Sequence, residues 1–183
     1  LCAIVGEKHV LIDSADLAVY LIDWTRQFSG DAIAVVRPSR TDEVSRIVKL
    51  CGSAGVCIVP QGGNTGLAGG GIPSSGTPSI VLSLSRMNTI RHFDEAGRTV
   101  VAEAGVVLEA LQAYVDEREL FFPLMFGAKG SCSIGGTLAT NAGGSNVVRY
   151  GNTRELCLGL EAVLPDGSVF NGLTGLRKDN TGY

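Results

Sequence analysis

The sequence predicts an α+β fold of two lobes, the first with a parallel strand–helix–strand unit and the second largely antiparallel around one helix. Three observations predict it. Val44, Ile47, Val48 and Cys51 form one apolar helical face between two short β-branched runs. The segments Phe93-Asp94-Glu95-Ala96-Gly97-Arg98 and Pro165-Asp166-Gly167 carry turn signals between later runs. A chain of 183 residues that is 45% hydrophobic and 18% charged is long and apolar enough for a real core divided into two lobes, about residues 1–90 and 91–183.

Taken in order, residues 16–28 read as a short helix or irregular lead-in ending near Ser29-Gly30, with Trp24 as a core residue. Residues 32–36 read as a strand halted by Pro38. Thr41 is the expected N-cap of the next helix, with Asp42 and Glu43 in a first turn where the dipole favours acids, and Gly52 and Gly55 close it. Val56-Cys57-Ile58-Val59 is the second strand. Strand, helix and strand within about 30 residues make a βαβ unit, so these two strands run parallel. Residues 79–84 and 99–104 are further strands, and Gly97 is expected to supply the unusual backbone angle of the turn before the latter. Leu108, Leu111 and Val115 mark a helix over residues 107–118, and residues 156–164 and 168–170 flank the Asp-Gly turn.

The totals exclude several classes. A net charge of −3 and a pI near 5.4 predict no nucleic-acid partner. No apolar stretch approaches the ~18 residues of a membrane span, and the opening residues lack the basic region of a signal peptide. The five cysteines (2, 51, 57, 132 and 157) form no C-x-x-C pair and read as reduced, buried thiols. A soluble, cytoplasmic protein is the expectation.

Glycine supplies 25 of the 183 residues, about twice the usual share, and it clusters between apolar segments. Residues 60–71 read Pro-Gln-Gly-Gly-Asn-Thr-Gly-Leu-Ala-Gly-Gly-Gly and follow a parallel strand, where ligands of open α/β sheets bind. Without Cβ atoms such a loop can bring backbone N–H groups up to a phosphate or pyrophosphate, although a plain surface turn explains one such loop equally well. A second cluster over residues 127–144 interleaves glycines with Ser131, Ser133, Thr137, Thr140 and Asn141. Together the clusters imply a long ligand clasped between two lobes. The usual phosphate motifs fail: no lysine follows Gly66 as a P-loop needs, no G-x-G-x-x-G opens a helix, and Pro73 and Pro78 forbid a helix after the loop.

The strings Pro60-Gln61-Gly62-Gly63-Asn64-Thr65-Gly66-Leu67, Gly127-Ala128-Lys129-Gly130-Ser131-Cys132-Ser133-Ile134-Gly135-Gly136, Ala139-Thr140-Asn141-Ala142-Gly143-Gly144, Arg149-Tyr150-Gly151-Asn152 and the closing residues 177–183 resemble a known family. It is the FAD-binding (PCMH-type) domain of the vanillyl-alcohol oxidase/p-cresol methylhydroxylase flavoproteins, and within it the D-2-hydroxyacid dehydrogenase branch of D-lactate and D-2-hydroxyglutarate types. The resemblance implies that residues 1–183 are an FAD-binding domain whose substrate-binding cap, with its catalytic residues and any metal, lies outside this chain. It implies that Pro60, Gln61, Gly62, Gly63, Asn64, Thr65, Gly66 and Gly70 wrap the FAD pyrophosphate. Ser131, Ser133, Ile134, Gly135, Gly136, Thr140 and Asn141 would line the flavin and its ribityl arm, Ala104 and Gly105 would pass close to it, and Glu161 and Val163 would flank the adenine. Arg149 and Tyr150 are either cofactor contacts or strand-end packing, and Gly151 would join the cofactor contacts. Lys129 and Lys178 read as surface or structural lysines.

Some relatives attach flavin through a histidine in the first loop; Asn64 stands there, and the two histidines, 9 and 92, lie in neither loop, so the FAD is expected to be non-covalent. No metal site is expected in this chain. The implied activity is oxidation of a small D-2-hydroxy acid to the 2-oxo acid with hydride transfer to flavin N5 and a downstream electron acceptor. A homodimer is the full-length assembly the resemblance allows. The alternatives are an oxidase of the same fold that uses O2 and a non-catalytic nucleotide-binding module.

Overall fold

The structure, a computed structural model, describes residues 1–175. Residues 177–183 of the resemblance, Lys178 included, lie outside the described residues. The chain divides into two compact units, Leu1–Met87 with Val163–Val169, and Asn88–Ala162 with the chain from Phe170.

Unit one contains α1 (Cys2–Val5), β1 (Val10–Leu11), α2 (Ser14–Leu17), β2 (Ala34–Val36), α3 (Thr41–Ala54), β3 (Cys57–Gln61) and β4 (Ser79–Ser83). The four strands form one sheet in the order β1-β2-β4-β3. The strands on either side of α3 are parallel as the βαβ pattern requires, yet they do not pair: β4 lies between them, parallel to both. Its central place explains its sequence, since all five residues are buried and Ile80-Val81-Leu82 must satisfy both faces. Ile80 and Leu82 join Ala34, Val36 and the α3 residues Val44, Ile47 and Cys51 in one core cluster. Val81 joins Val35 and Leu17 in another.

β3 is an edge strand, and this is why it tolerates Pro60 inside it, in register with Leu82. Read from sequence as the start of the loop, Pro60 and Gln61 are the last two residues of the strand. In α3, Arg40 rather than Thr41 occupies the N-cap, and Gly55, at φ 66°, ends the helix while Gly52 lies within it. The capping is done from inside the helix: the buried Glu43 carboxylate accepts the Ser39 N–H at 2.7 Å.

Unit two contains β5 (Ile90–Asp94), β6 (Thr99–Ala102), α4 (Leu108–Asp116), α5 (Ile134–Ala139) and α6 (Val147–Tyr150). β5 and β6 pair antiparallel around the expected turn. The unusual angle there falls on Arg98 (φ 49°) and not on Gly97. Gly97 instead lies against the Asp94 carboxylate, which accepts its N–H at 3.1 Å and would have to shift for a Cβ there. Leu111 and Val115 of α4 pack with Val106, Ile90, Val100 and Ala102, while Leu108 packs with Leu124 and Cys132. β7 (Glu161–Val163) and β8 (Val169–Asn171) form a two-stranded sheet around the Asp-Gly turn, with Gly167 at φ 78°.

Two expectations fail. Trp24 is 75% exposed, because the turn that carries it buries the Asp23 carboxylate and leaves its larger side chains, Phe28 among them, to solvent. Of the five free cysteines only Cys51 and Cys132 are buried, and burial pushes both thiols up; Cys2 and Cys57 are exposed, Cys57 on the edge strand.

Ile47 is fully buried on the sheet side of α3, whereas Leu50 on the same helix is 42% exposed. Ile47→Ala is expected to destabilise the protein by about 2–5 kcal/mol, and Leu50→Ala by less than about 0.5 kcal/mol, in urea unfolding.

Candidate cofactor site

The first glycine-rich loop leaves β3 at Gln61 and returns at Gly71, within unit one. Its two ends are held by one side chain. The Gln61 amide, 4% exposed, donates to the carbonyls of Gly71 at 2.8 Å and Tyr20 at 2.9 Å. Asn64 takes the left-handed conformation (φ 51°), which Asn adopts more readily than most residues, and its Nδ2 donates to the Ile22 carbonyl at 2.8 Å. At Gly69 (φ 70°) a Cβ would stand 2.6 Å from the Phe28 ring. Gly66 and Gly70, by contrast, have open space where a Cβ would be. Among the described residues, the backbone N–H groups of Gly62, Gly63, Asn64, Thr65 and Gly66 donate to no protein acceptor. The loop is closed at its base by the Gln61 side chain and leaves a run of amides without a protein acceptor, an arrangement able to take an anion.

The second cluster, in unit two, has the opposite character. It contains α5, which the glycine content concealed in the sequence; Ser133 at the N-cap position was the available signal. Gly135 donates its N–H to the Ala104 carbonyl at 2.8 Å, and a Cβ on it would lie 2.7 Å from the Ala104 Cβ. Gly144 rests against Met125, whose carbonyl a Cβ would meet at 2.1 Å. These glycines allow backbone to pack on backbone, and they bring Ala104 and Gly105 beside Ser133, Ile134, Gly135 and Gly136. Thr137 is buried and its hydroxyl donates to the Ile134 carbonyl, while the exposed Thr140 hydroxyl donates to the Gly136 carbonyl. Asn141, also left-handed (φ 50°), accepts the Arg154 N–H on Oδ1 at 3.0 Å.

Other predicted residues are placed as follows. Ser131 is exposed at the start of the cluster. Tyr150 lies on a short helix, not at a strand end; its ring meets Phe121 edge-on with centroids 6.2 Å apart, and Gly151 (φ 78°) ends that helix. Glu161 is paired with Arg91 at 3.1 Å, and Val163 packs against the core of unit one. Lys129 is paired with Glu109 at 3.2 Å, both side chains being about half exposed.

Two positions that organise the neighbourhood of these clusters escaped the sequence reading. Arg154 donates to the carbonyls of Leu138 at 3.0 Å and Ala139 at 2.8 Å, tying the end of α5 to the turn over Thr153–Leu156. Asp23, 3% exposed, accepts the N–H of Phe28 at 2.7 Å and the N–H of Thr25 at 2.9 Å, and also the Thr25 hydroxyl. An Asp followed two residues later by Thr is a local turn signal that could have found it.

Residues 32–172 match the family described as the FAD binding domain. The chain belongs to that family, and its cofactor is FAD. It is 48% identical over 175 residues to the mitochondrial D-2-hydroxyglutarate dehydrogenase of Bos taurus, covering 96% of this chain and 32% of that protein. It is 44% identical over 180 residues to the mitochondrial D-2-hydroxyglutarate dehydrogenase of Arabidopsis thaliana, covering 98% of this chain and 32% of that one. The chain therefore spans about a third of the length of these curated relatives. In fold it is similar to a crystal structure of p-cresol methylhydroxylase with substrate bound, with a TM-score of 0.74 at 24% identity over 100% of this chain and 37% of that one. The resemblance read from the motifs and the α+β fold class stand. The cytoplasmic expectation does not: these relatives are named as mitochondrial, and unpaired cysteines cannot tell one reducing compartment from another. Among the described residues no helix is long and apolar enough to cross a membrane.

Gly69→Ala is expected to cost about 1–3 kcal/mol through the strained φ and the Phe28 ring, while Gly70→Ala stays within about 0.5 kcal/mol, measured by thermal unfolding of the apoprotein. Burial alone would raise the Asp23 pKa, but hydrogen bonds from the Thr25 hydroxyl and from the amides of Phe28, Thr25 and Gln27 hold it below the ordinary value. Its contribution is therefore full above the usual carboxylate range of about 4 and is lost as pH falls through that range toward the folded value. The stability difference between wild type and Asp23→Asn should shrink as urea unfolding is repeated from about pH 6 down to about pH 3.

Proposed function

We propose that this chain is the FAD-binding portion of a flavin-dependent dehydrogenase that oxidises a D-2-hydroxy acid, of D-2-hydroxyglutarate type before D-lactate type, to the 2-oxo acid. The observation that carries the cofactor half is the open run of amides over residues 62–66 at the end of a parallel strand. The substrate half is supported by the names of the relatives at 48% and 44% identity.

The residues fit the cofactor. Gly62, Gly63, Asn64, Thr65 and Gly66 would hold the pyrophosphate through backbone N–H groups that the protein itself leaves unused. Asn64 supplies its amide there while its side chain fixes the loop, and Gln61 acts through the loop ends. Gly135, Gly136, Thr140 and Asn141 with Ala104 would present backbone and short polar groups to the rest of FAD. When bound, FAD supplies the redox chemistry, taking the hydride from the substrate α-carbon. The chain's own part is to bind, orient and exclude water. The titratable side chains of the two clusters are Lys129, in an exposed pair with Glu109, and Cys132, buried with its thiol pKa pushed up by burial, and neither is proposed to move the substrate proton. The proton-handling and carboxylate-binding groups are accordingly proposed to lie in the part of the protein that the relatives have beyond this length, as are the electron acceptor and any dimer contact. The attachment is proposed to be non-covalent, because the amide of Asn64 cannot form the bond a histidine forms.

The full-length protein purified with FAD should lose its yellow colour on anaerobic addition of D-2-hydroxyglutarate, regain it with an artificial acceptor much faster than with O2, and release all its flavin on acid precipitation. Equal reoxidation by O2 would favour the oxidase, and no bleaching by any 2-hydroxy acid would favour the nucleotide-binding module.

A further inference from the structure

Residues 20–30 touch the first loop at four places, in the same order along both segments. The Tyr20 carbonyl receives the Gln61 amide at 2.9 Å, and the Ile22 carbonyl receives the Asn64 amide at 2.8 Å. The Phe28 ring lies where a Cβ on Gly69 would be, 2.6 Å from that position. Gly30 abuts the backbone at the loop's exit, since a Cβ on Gly30 would fall 1.7 Å from the Pro73 carbonyl oxygen. The segment is itself a narrow hairpin, with Ile22 bridging Ser29 and the Gly30 N–H donating to the Leu21 carbonyl at 3.0 Å.

Tyr20 and Leu21 at its base pack against the cluster of Leu17, Val35 and Val81, but residues 22–29 bury no large apolar side chain and make only the one bridge. Its end is organised by Asp23. The Asp23 carboxylate accepts from Phe28 on one oxygen and from Thr25 on the other, and its own N–H donates to the Phe28 carbonyl at 3.0 Å. All the side-chain partners are donors, so only a group that accepts on both oxygens completes the turn. The side chain is 3% exposed, so water cannot replace a lost partner at no cost.

We infer that residues 20–30 are a strap holding the first loop in its ligand-ready shape, and that Asp23 is the positioning residue of the strap. This rests on the reading that residues 62–66 hold the FAD pyrophosphate. Asp23 touches no part of the loop; it places the Ile22 carbonyl and the Phe28 ring, and these place Asn64 and Gly69. Without the strap the glycine-rich loop samples many shapes, and the free amides converge on a phosphate in only a fraction of them. Affinity falls by that fraction.

Trp24, the one tryptophan of these 183 residues, lies on the strap and is exposed, so quenching of its fluorescence is the readout of FAD binding to this chain. Titrations of the apoprotein with FAD and with ADP are made for wild type, Asp23→Asn and Gly66→Asp, with thermal unfolding of each apoprotein alongside. Asp23→Asn keeps the size of the side chain but turns an NH2 group toward a donor. The expected result is folded Asp23→Asn with dissociation constants for FAD and ADP raised about tenfold or more, and with faster hydrogen exchange of the amides over residues 62–70. Folded Asp23→Asn with wild-type constants would overturn the strap. Gly66→Asp puts a carboxylate into open space on the loop; if it leaves FAD binding intact, the loop is not the pyrophosphate site, and that reading fails separately from this one. Should Asp23→Asn not fold, Phe28→Ala decides in its place, with weakened binding supporting the strap and unchanged binding overturning it.

Discussion

The proposed cofactor site depends on the two hydrogen bonds of the Gln61 amide. A loop of ten residues rich in glycine loses more conformational entropy on ordering than an ordinary one, and an anion gains little from amides that must be gathered first. Gln61 gathers them in advance. It belongs to an edge strand whose ladder is otherwise complete on one side only, so its side chain is available to reach the Tyr20 and Gly71 carbonyls. Buried and fully donated, it fixes the two ends of the loop together, and the amides between them remain unpaired by protein. The parallel arrangement of β2, β4 and β3 puts this closure at the end of the sheet where such loops serve as binding sites.

Glycine does two different jobs in the two units. In the first loop Gly66 and Gly70 have empty space around them, and their value is that no side chain shields the backbone from a ligand. In the second cluster Gly135 and Gly144 have another backbone where a side chain would stand, and their value is close packing. The same letter in the sequence therefore stands for an open surface in one place and a filled interior in the other. The two left-handed asparagines show a similar division: each lies where a cofactor contact was expected, and each has its side chain engaged by its own unit, with Ile22 or with Arg154.

Much of the fold was legible. The 3.6-residue spacing of Val44, Ile47 and Cys51, and of Leu108, Leu111 and Val115, located both long helices, because those side chains pack against a sheet or hairpin and leave the opposite face to solvent. The apolar run Ile80-Val81-Leu82 gave away a strand covered on both faces. Turn chemistry was read less well. Gly97 and Thr41 carried familiar signals, but Arg98 and Glu43 do the work they suggested, since a local contact with Asp94 and a reach back to Ser39 were not visible in spacing. Trp24 was read as core from its size, whereas Asp23 beside it is the buried member of the turn.

By itself the sequence determined the family, the cofactor and the positions of the two loops, because motifs of small residues in a given order are a property of the linear chain. Only the tertiary structure decided which amides stay free, which glycines are filled against backbone, and that residues 20–30 brace residues 61–73. Those facts depend on side-chain amides meeting backbone carbonyls 41 and 42 residues away, as Gln61 meets that of Tyr20 and Asn64 that of Ile22. No local pattern encodes such a meeting; the order of strands in the sheet creates it.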